Sequence, residues 1–195
     1  MRIYDLTKFL QEYYENIVPQ LFAVLAEKDL SPVQLRAVAF TLSRLISSEQ
    51  TSVNKSAATR LVLSTVHRPF LSGLPASSNL DGNQSPSAAL ATLQAILVNS
   101  DPSPTLISSL LTPIIPALFL ISSEADSMKF VDPSLRACLQ GLLGTWGRVI
   151  SAQEGIATLW LTVEGEGGIW NVDISGEINQ SDRQYGDYFA FRFVF

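Results

Sequence analysis

The feature that most constrains the fold is the spacing of apolar residues, which recur every three or four positions along most of the chain. In the first segment this spacing defines one stripe on a helix face, formed by Leu6, Phe9, Leu10, Tyr13, Ile17, Leu21 and Leu25. We expect Pro19 to kink or split that helix, because proline has no amide hydrogen to donate. Ser31 is expected to cap a second helix that starts at Pro32. Further helices are predicted over Val53–Leu71, Pro86–Val98, Thr105–Ser122, Pro133–Ile150 and Ala152–Val163. Asp132 is expected to cap the helix that starts at Pro133.

The chain also contains pairs of matching segments that occur in the same order. Ile17-Val-Pro-Gln-Leu-Phe22 matches Ile114-Ile-Pro-Ala-Leu-Phe119, and each is followed by a helix that starts with proline. In those helices Leu35-Arg-Ala37 matches Leu135-Arg-Ala137, and Arg44-Leu-Ile-Ser47 matches Arg148-Val-Ile-Ser151. The spacing of the matches indicates a helix hairpin of roughly 45–50 residues, near the length of HEAT repeats. We therefore predict an all-α fold over residues 1–163, a HEAT/armadillo-like stack of about three helical hairpins, with an irregular helical bundle as the alternative.

Two segments lack helical spacing. The stretch SGLPASSNLDGNQS, residues 72–85, is rich in serine, glycine, asparagine and proline, and is predicted to be a mobile loop. Residues 164–195 begin with GEGGIWNVDISGEINQ, whose glycines oppose helix formation, and end in an aromatic-rich segment. We expect them to form an irregular acidic and aromatic tail, although its last residues could also pair as a strand. The unusual end favours the interpretation that the chain is a fragment of a longer repeat protein.

Charge is sparse and uneven. Charged residues make up 16% of the chain and the net charge is −5. This balance gives no support to nucleic-acid binding, which needs a clustered positive field. Because the N-terminal segment lacks the apolar core of a signal peptide, we expect a cytoplasmic or nucleocytoplasmic protein. Its expected partners are other proteins.

Residues that could support catalysis or hold a metal are few. His67 is the single histidine and Cys138 the single cysteine. We expect His67 on a helix surface and Cys138 as a small core residue. One cysteine and one histidine cannot form a structural zinc site. Gly165-Glu-Gly-Gly168 lacks the Lys-Ser/Thr of a phosphate-binding loop. We predict no catalytic residue, no cofactor and no metal, and therefore no enzyme.

One segment raises the alternative of a membrane-associated structural component. Residues 102–123 are 22 consecutive uncharged positions. A membrane-spanning helix needs roughly 20 predominantly apolar residues. The four prolines and several hydroxyl side chains within the segment favour a buried repeat helix instead.

A candidate protein-binding face lies on the helices that start at Pro32 and Pro133. On the later helix, the expected core stripe is Leu135, Leu139, Leu142, Trp146 and Val149. Beside it run Arg136, Gln140, Gly144 and Arg148, and the equivalent line on the earlier helix is Arg36, Phe40 and Arg44. We hypothesise that the two lines belong to one groove for an acidic or extended peptide. In the alternative, the arginines pair with acids of neighbouring repeats, and Gly141, Gly144 and Gly147 admit the next hairpin.

Residues 110–168 contain motifs that resemble a known family. These motifs are Leu111-Thr-Pro-Ile-Ile-Pro-Ala-Leu-Phe119, Asp132-Pro-Ser-Leu-Arg136, Leu142-Leu-Gly-Thr-Trp-Gly-Arg148 and Gly165-Glu-Gly-Gly-Ile-Trp170. They are similar to part of the helical-repeat family of yeast RNA polymerase II assembly and nuclear-import factors and their animal Golgi-organisation relatives. The resemblance covers about a third of the chain. It implies a non-enzymatic adaptor that contacts RNA polymerase subunits and transport machinery, and it supplies no catalytic residues.

Overall fold

The computed structural model of the chain describes residues 3–27, 29–47, 53–71, 85–101, 103–128 and 131–181. These residues are mostly helical, as the sequence predicts. The helices are α1 (Ile3–Leu25), α2 (Pro32–Ser47), α3 (Val53–His67), α4 (Pro86–Asn99), α5 (Pro104–Leu111), α6 (Ile115–Ser127), α7 (Pro133–Val149) and α8 (Ala152–Val163). Two short 3₁₀ turns (Arg68–Phe70, Thr112–Ile114) and two short strands, β1 (Trp170–Val172) and β2 (Ile178–Gln180), complete the assigned elements.

Local side-chain caps determine where two of these helices begin. The Ser31 hydroxyl accepts a hydrogen bond from the Gln34 amide at 3.3 Å, and the Gln34 side chain accepts one from the Ser31 amide at 3.2 Å. This reciprocal pair is a capping box that starts α2. Asp132 Oδ1 accepts the Ser134 amide at 2.9 Å and starts α7. Hydrogen bonds from the Ser134 hydroxyl and amide hold the pKa of the Asp132 carboxyl below its ordinary value. Both predicted caps are confirmed.

The prolines have different effects in different helices. Pro19 lies inside α1, which is one helix throughout, so the expected split does not occur. The helix predicted over Thr105–Ser122 is instead two helices, α5 and α6, separated by the turn Thr112–Ile114. Pro113 and Pro116 both fall at this break, and each removes an amide hydrogen that a continuous helix would use.

The helices pack in an alternating order. α1 lies against α3, α2 against both α3 and α4, and α6 against α8, while α7 contacts α5 and α6. The centre of the core comes from α5, α6 and the turn between them. Their fully buried side chains are Leu106, Leu110, Leu111, Ile114, Ile115, Leu118 and Ile121. Pro104–Ser127 is long and apolar enough to cross a membrane. In this structure the same stretch supplies the core.

Residues 170–180 form a β-hairpin, so the prediction of an irregular tail is wrong for this part of the chain. β1 and β2 pair antiparallel, with Trp170 opposite Gln180 and Val172 opposite Ile178. The connecting turn is stabilised by Asp173, whose Oδ1 accepts the Glu177 amide at 2.8 Å. The turn forms because a side-chain acceptor follows β1 directly and a glycine, at position 176, adopts the required positive φ.

The hairpin packs into the helical core. The hairpin buries Trp170, Val172 and Ile178 among the core residues of the helices. The centroids of the Trp170 and Phe70 rings are 6.3 Å apart. The chain reaches β1 by crossing the start of α6 at Gly167. A Cβ added to Gly167 would lie 2.7 Å from the carbonyl carbon of Pro116.

The division of the chain after residue 163 stays a prediction. Residues 72–84 of the predicted loop 72–85, and residues 182–195, lie outside the described residues.

Candidate protein-binding surfaces

Arg136, the first residue of the predicted line on α7, is engaged in packing between helices. Its guanidinium donates from Nε and Nη2 to the Ala125 carbonyl, at 3.1 and 2.9 Å, and from Nη2 to the Met128 carbonyl. The Asp126 carboxylate lies 3.9 Å away. The last carbonyls of a helix have no helical donor, so Arg136 caps α6 from the neighbouring helix. Arg136 is therefore held by the adjacent helix α6, and the alternative that the arginines pair with acids of neighbouring repeats stays a prediction.

The other three members of the α7 line are exposed. Gln140, Gly144 and Arg148 all lie on the outer side of the helix. Gly141, Gly144 and Gly147 are not covered either, since a Cβ added at any of them meets no atom within 4 Å in the described part of the chain. The expectation that these glycines admit the next hairpin is therefore not met by any described element.

The α2 line is also exposed. Arg36, Phe40 and Arg44 follow one another along the outer face, and 46% of Phe40 is accessible to solvent. Within the described ranges, neither arginine makes a hydrogen bond or ion pair. α4 and α5 each contact both α2 and α7. That the lines form a single groove stays a prediction.

His67 is buried, which corrects the expectation of a surface histidine. It is 6% exposed at the end of α3, and its Nε2 lies 2.8 Å from the Leu110 carbonyl of α5. Because a carbonyl can only accept, the imidazole donates this hydrogen bond, to a carbonyl in the last turn of α5. Burial lowers the pKa of His67, although the Leu110 hydrogen bond opposes this effect. The ring is therefore a neutral link between α3 and α5.

Cys138 lies on α7 and is half-buried against the core, as expected. Burial raises the pKa of its thiol, which reduces the thiolate fraction and hence its reactivity. Across the described ranges, no group of three or more histidine, cysteine, aspartate and glutamate side chains is arranged to hold a metal ion.

The most distinctive surface is on α8, and the sequence analysis did not identify it. The helix buries small and hydroxyl-bearing residues, Gly155, Thr158 and Thr162, against the rest of the fold. The Thr162 hydroxyl has no hydrogen-bond partner among the described atoms. Four larger apolar side chains lie outside, since Ile156, Leu159, Trp160 and Val163 are exposed, whereas Leu161 is half-buried. We call these four residues the α8 apolar face.

The spacing of the α8 apolar face was visible in the sequence. Positions 156, 159, 160 and 163 follow the pattern that places side chains on one side of a helix. That pattern does not say which side is covered, and a sequence-based interpretation would place the apolar stripe inward. In the structure, Ile156 is 69% exposed and Trp160 58% exposed.

The α8 apolar face lies in an acidic part of the chain. Residues 149–181 contain five acidic side chains and no basic one. All five are exposed: Glu154, Glu164, Glu166, Asp173 and Glu177. Glu164 borders the apolar face directly, because its Oε1 accepts a hydrogen bond from Trp160 Nε1 at 2.8 Å.

No protein-family model, no curated protein and no solved structure matches this chain.

Proposed function

We propose that this chain is a non-enzymatic protein-binding scaffold, built as a short stack of helical hairpins, that uses the α8 apolar face to bind a partner protein. The observation that carries the proposal is the orientation of α8, which buries glycine and threonine and exposes isoleucine, leucine, tryptophan and valine. Isolated exposed apolar residues are common on proteins, whereas contiguous apolar patches mark interaction sites.

The alternating contacts of the helices support the hairpin-stack part of the proposal. In such stacks, equivalent helices of successive hairpins lie side by side. The α1–α3, α2–α4 and α6–α8 contacts follow this order, with α5 and α6 acting as one bent helix. An exposed apolar side on a helix is also what a stacked unit presents to its neighbour.

A narrower proposal concerns the process in which the scaffold takes part. The motifs within residues 110–168 resemble RNA polymerase II assembly and nuclear-import factors and their Golgi-organisation relatives. On that basis we propose RNA polymerase subunits or transport factors as partners, in the cytoplasm or moving between cytoplasm and nucleus. The resemblance is the sole support for this choice of partner.

The test is quantitative affinity capture with the full chain and two matched variants. Ile156→Asp puts a charge on the α8 apolar face, whereas Ile174→Asp puts the same charge in the turn of the β-hairpin. The two isoleucines are similarly exposed, at 69% and 74%. We expect Ile156→Asp to lose captured proteins that the unmodified chain and Ile174→Asp both retain. Polymerase subunits or transport factors among the lost proteins would support the narrower proposal.

Equal capture by all three chains would contradict a binding role for α8. Circular dichroism of each variant provides the folding control, because both positions are on the surface and a single exposed charge should leave helicity unchanged.

Membrane association through residues 102–123 is the alternative function, and the length and apolarity of Pro104–Ser127 favour it. Against it, inserting this stretch in a bilayer would expose the core that Leu110, Ile114 and Leu118 fill. Carbonate extraction separates the two functions: a membrane-spanning chain stays in the pellet, and a scaffold is released.

A further inference from the structure

We infer that the partner of the α8 apolar face is an amphipathic helix whose apolar stripe is flanked by basic residues. This inference rests on the proposed protein-binding role of α8 and adds the chemical class of the partner.

The shape of the face favours a helix as its occupant. The backbone donors and acceptors of α8 are used within the helix, so an extended segment finds no strand edge to pair with. What α8 offers is a ridge of side chains at positions 156, 159, 160 and 163, about two turns and roughly 10 Å long. Helices pack by fitting such ridges into the grooves of another helix. An amphipathic helix with apolar residues at the same spacing is the matching surface.

The charge around the face specifies basic flanks. Glu164 directly follows the last turn of α8 and borders the ridge, where its Oε1 accepts a hydrogen bond from Trp160 Nε1. Glu154, in the first turn, lies on the opposite side of the helix, because it precedes Ile156 by two residues at about 100° per residue. Glu166, two residues beyond Glu164, is also exposed. Residues 149–181 contain no basic side chain, and within the described ranges neither Glu164 nor Glu166 forms an ion pair. A partner with lysine or arginine next to its apolar stripe therefore meets complementary charge at the C-terminal end of the ridge.

The same charges argue against two other occupants. A second copy of the chain packed on α8 would bring no basic side chain to Glu164, because α8 contains none. In a parallel arrangement it would also place the two Glu164 side chains next to each other. An anionic lipid surface would be repelled by the acids in the same way.

Two synthetic peptides test the inference on the full chain. Both carry the same leucine stripe at helical spacing, one with lysine flanks and the other with glutamate flanks. Binding is measured by isothermal titration calorimetry at low and high salt. We expect the lysine peptide to bind at least about tenfold more tightly, since each of a few exposed charge contacts contributes a factor of about two to five. The difference should shrink at high salt, because exposed charges are screened.

Variants assign the binding to α8 and to its acids. Ile156→Asp should weaken the lysine peptide by at least about tenfold, whereas Ile174→Asp should leave its affinity unchanged. The double variant Glu164→Lys with Glu166→Lys should reverse the preference toward the glutamate peptide. That reversal cannot come from unfolding, because an unfolded chain would bind neither peptide selectively.

The outcomes separate this inference from the function on which it rests. If both peptides bind equally through Ile156, the inference is overturned while protein binding by α8 survives. If neither peptide binds, the inference fails. The affinity capture then decides the proposed function separately. Dimerisation in sedimentation experiments, or binding to anionic phosphatidylserine vesicles, overturns the inference if Ile156→Asp abolishes it.

Discussion

Trp146→Ala should destabilise the protein by about 4 kcal/mol. Trp146 is 5% exposed, and its Nε1 donates to Thr112 Oγ1 at 3.0 Å, so it connects α7 to the break between α5 and α6. Truncating a buried tryptophan to alanine typically costs about 3–5 kcal/mol because of lost apolar burial and the cavity left behind. The lost hydrogen bond contributes about 1 kcal/mol of the total. A loss of this size is a large part of the stability of most domains, which is about 5–15 kcal/mol.

The assay is urea unfolding followed by circular dichroism, which does not depend on the tryptophan being removed. Trp160→Ala is the matched control: the same truncation at a side chain that is 58% exposed should change the free energy of unfolding by no more than about 0.5 kcal/mol.

Two conservative changes isolate the hydrogen bond. Trp146→Phe and Thr112→Val each remove one partner, and their double-mutant coupling should be about 1 kcal/mol. A loss below about 1 kcal/mol for Trp146→Ala, or one no larger than that of Trp160→Ala, would refute the packing described for α7.

Three further changes test contacts elsewhere in the fold. Because burial lowers the pKa of His67, its stabilising contribution is present above the unfolded pKa of about 6.5 and is lost as the pH falls below it. Unfolding free energies at pH 7.5 and 5.5 should therefore differ more for the unmodified chain than for His67→Gln, and an equal pH dependence would contradict a buried neutral imidazole. Gly167→Ala should lower the unfolding free energy by about 1–3 kcal/mol or more, since its φ is +101° and a Cβ there would strike the backbone of Pro116, whereas an unchanged melting curve would contradict that close approach. Arg136→Gln should lower the melting temperature and Arg148→Gln should not, because Arg136 caps α6 and Arg148 is exposed; equal effects would count against the assigned cap.

The predictions that succeeded depend on residues within one or two helical turns of each other. The bounds of α8 and the start of α7 follow from apolar spacing, from Asp132 as cap and from Pro133 behind it. Ser31 and Gln34 cap α2 for the same reason, since both partners of the hydrogen bonds lie within three residues. The β-hairpin had local signals too, in Asp173 and Gly176, but the glycine content of the tail was interpreted as irregular structure.

The candidate surface was only partly predictable. Phe40, Gln140 and Arg148 are exposed in agreement with the predicted lines, because each lies outside an apolar stripe. Arg136 shares that position in the helix, yet its side chain is used by carbonyls at the end of α6. Nothing in its own helix indicates this, since its carbonyl partners lie 8 and 11 residues earlier in the chain.

The sequence by itself determined most of the helices of this protein, with the break between α5 and α6 as an exception, because helix formation and capping depend on neighbours along the chain. Which faces of those helices are covered was decided only by the tertiary structure. His67 is buried because Leu110, 43 residues away, presents a carbonyl to it. Trp160 is exposed because α8 turns Thr158 and Thr162 toward the fold instead. Both outcomes depend on contacts between residues far apart in sequence, which apolar spacing within one helix does not encode.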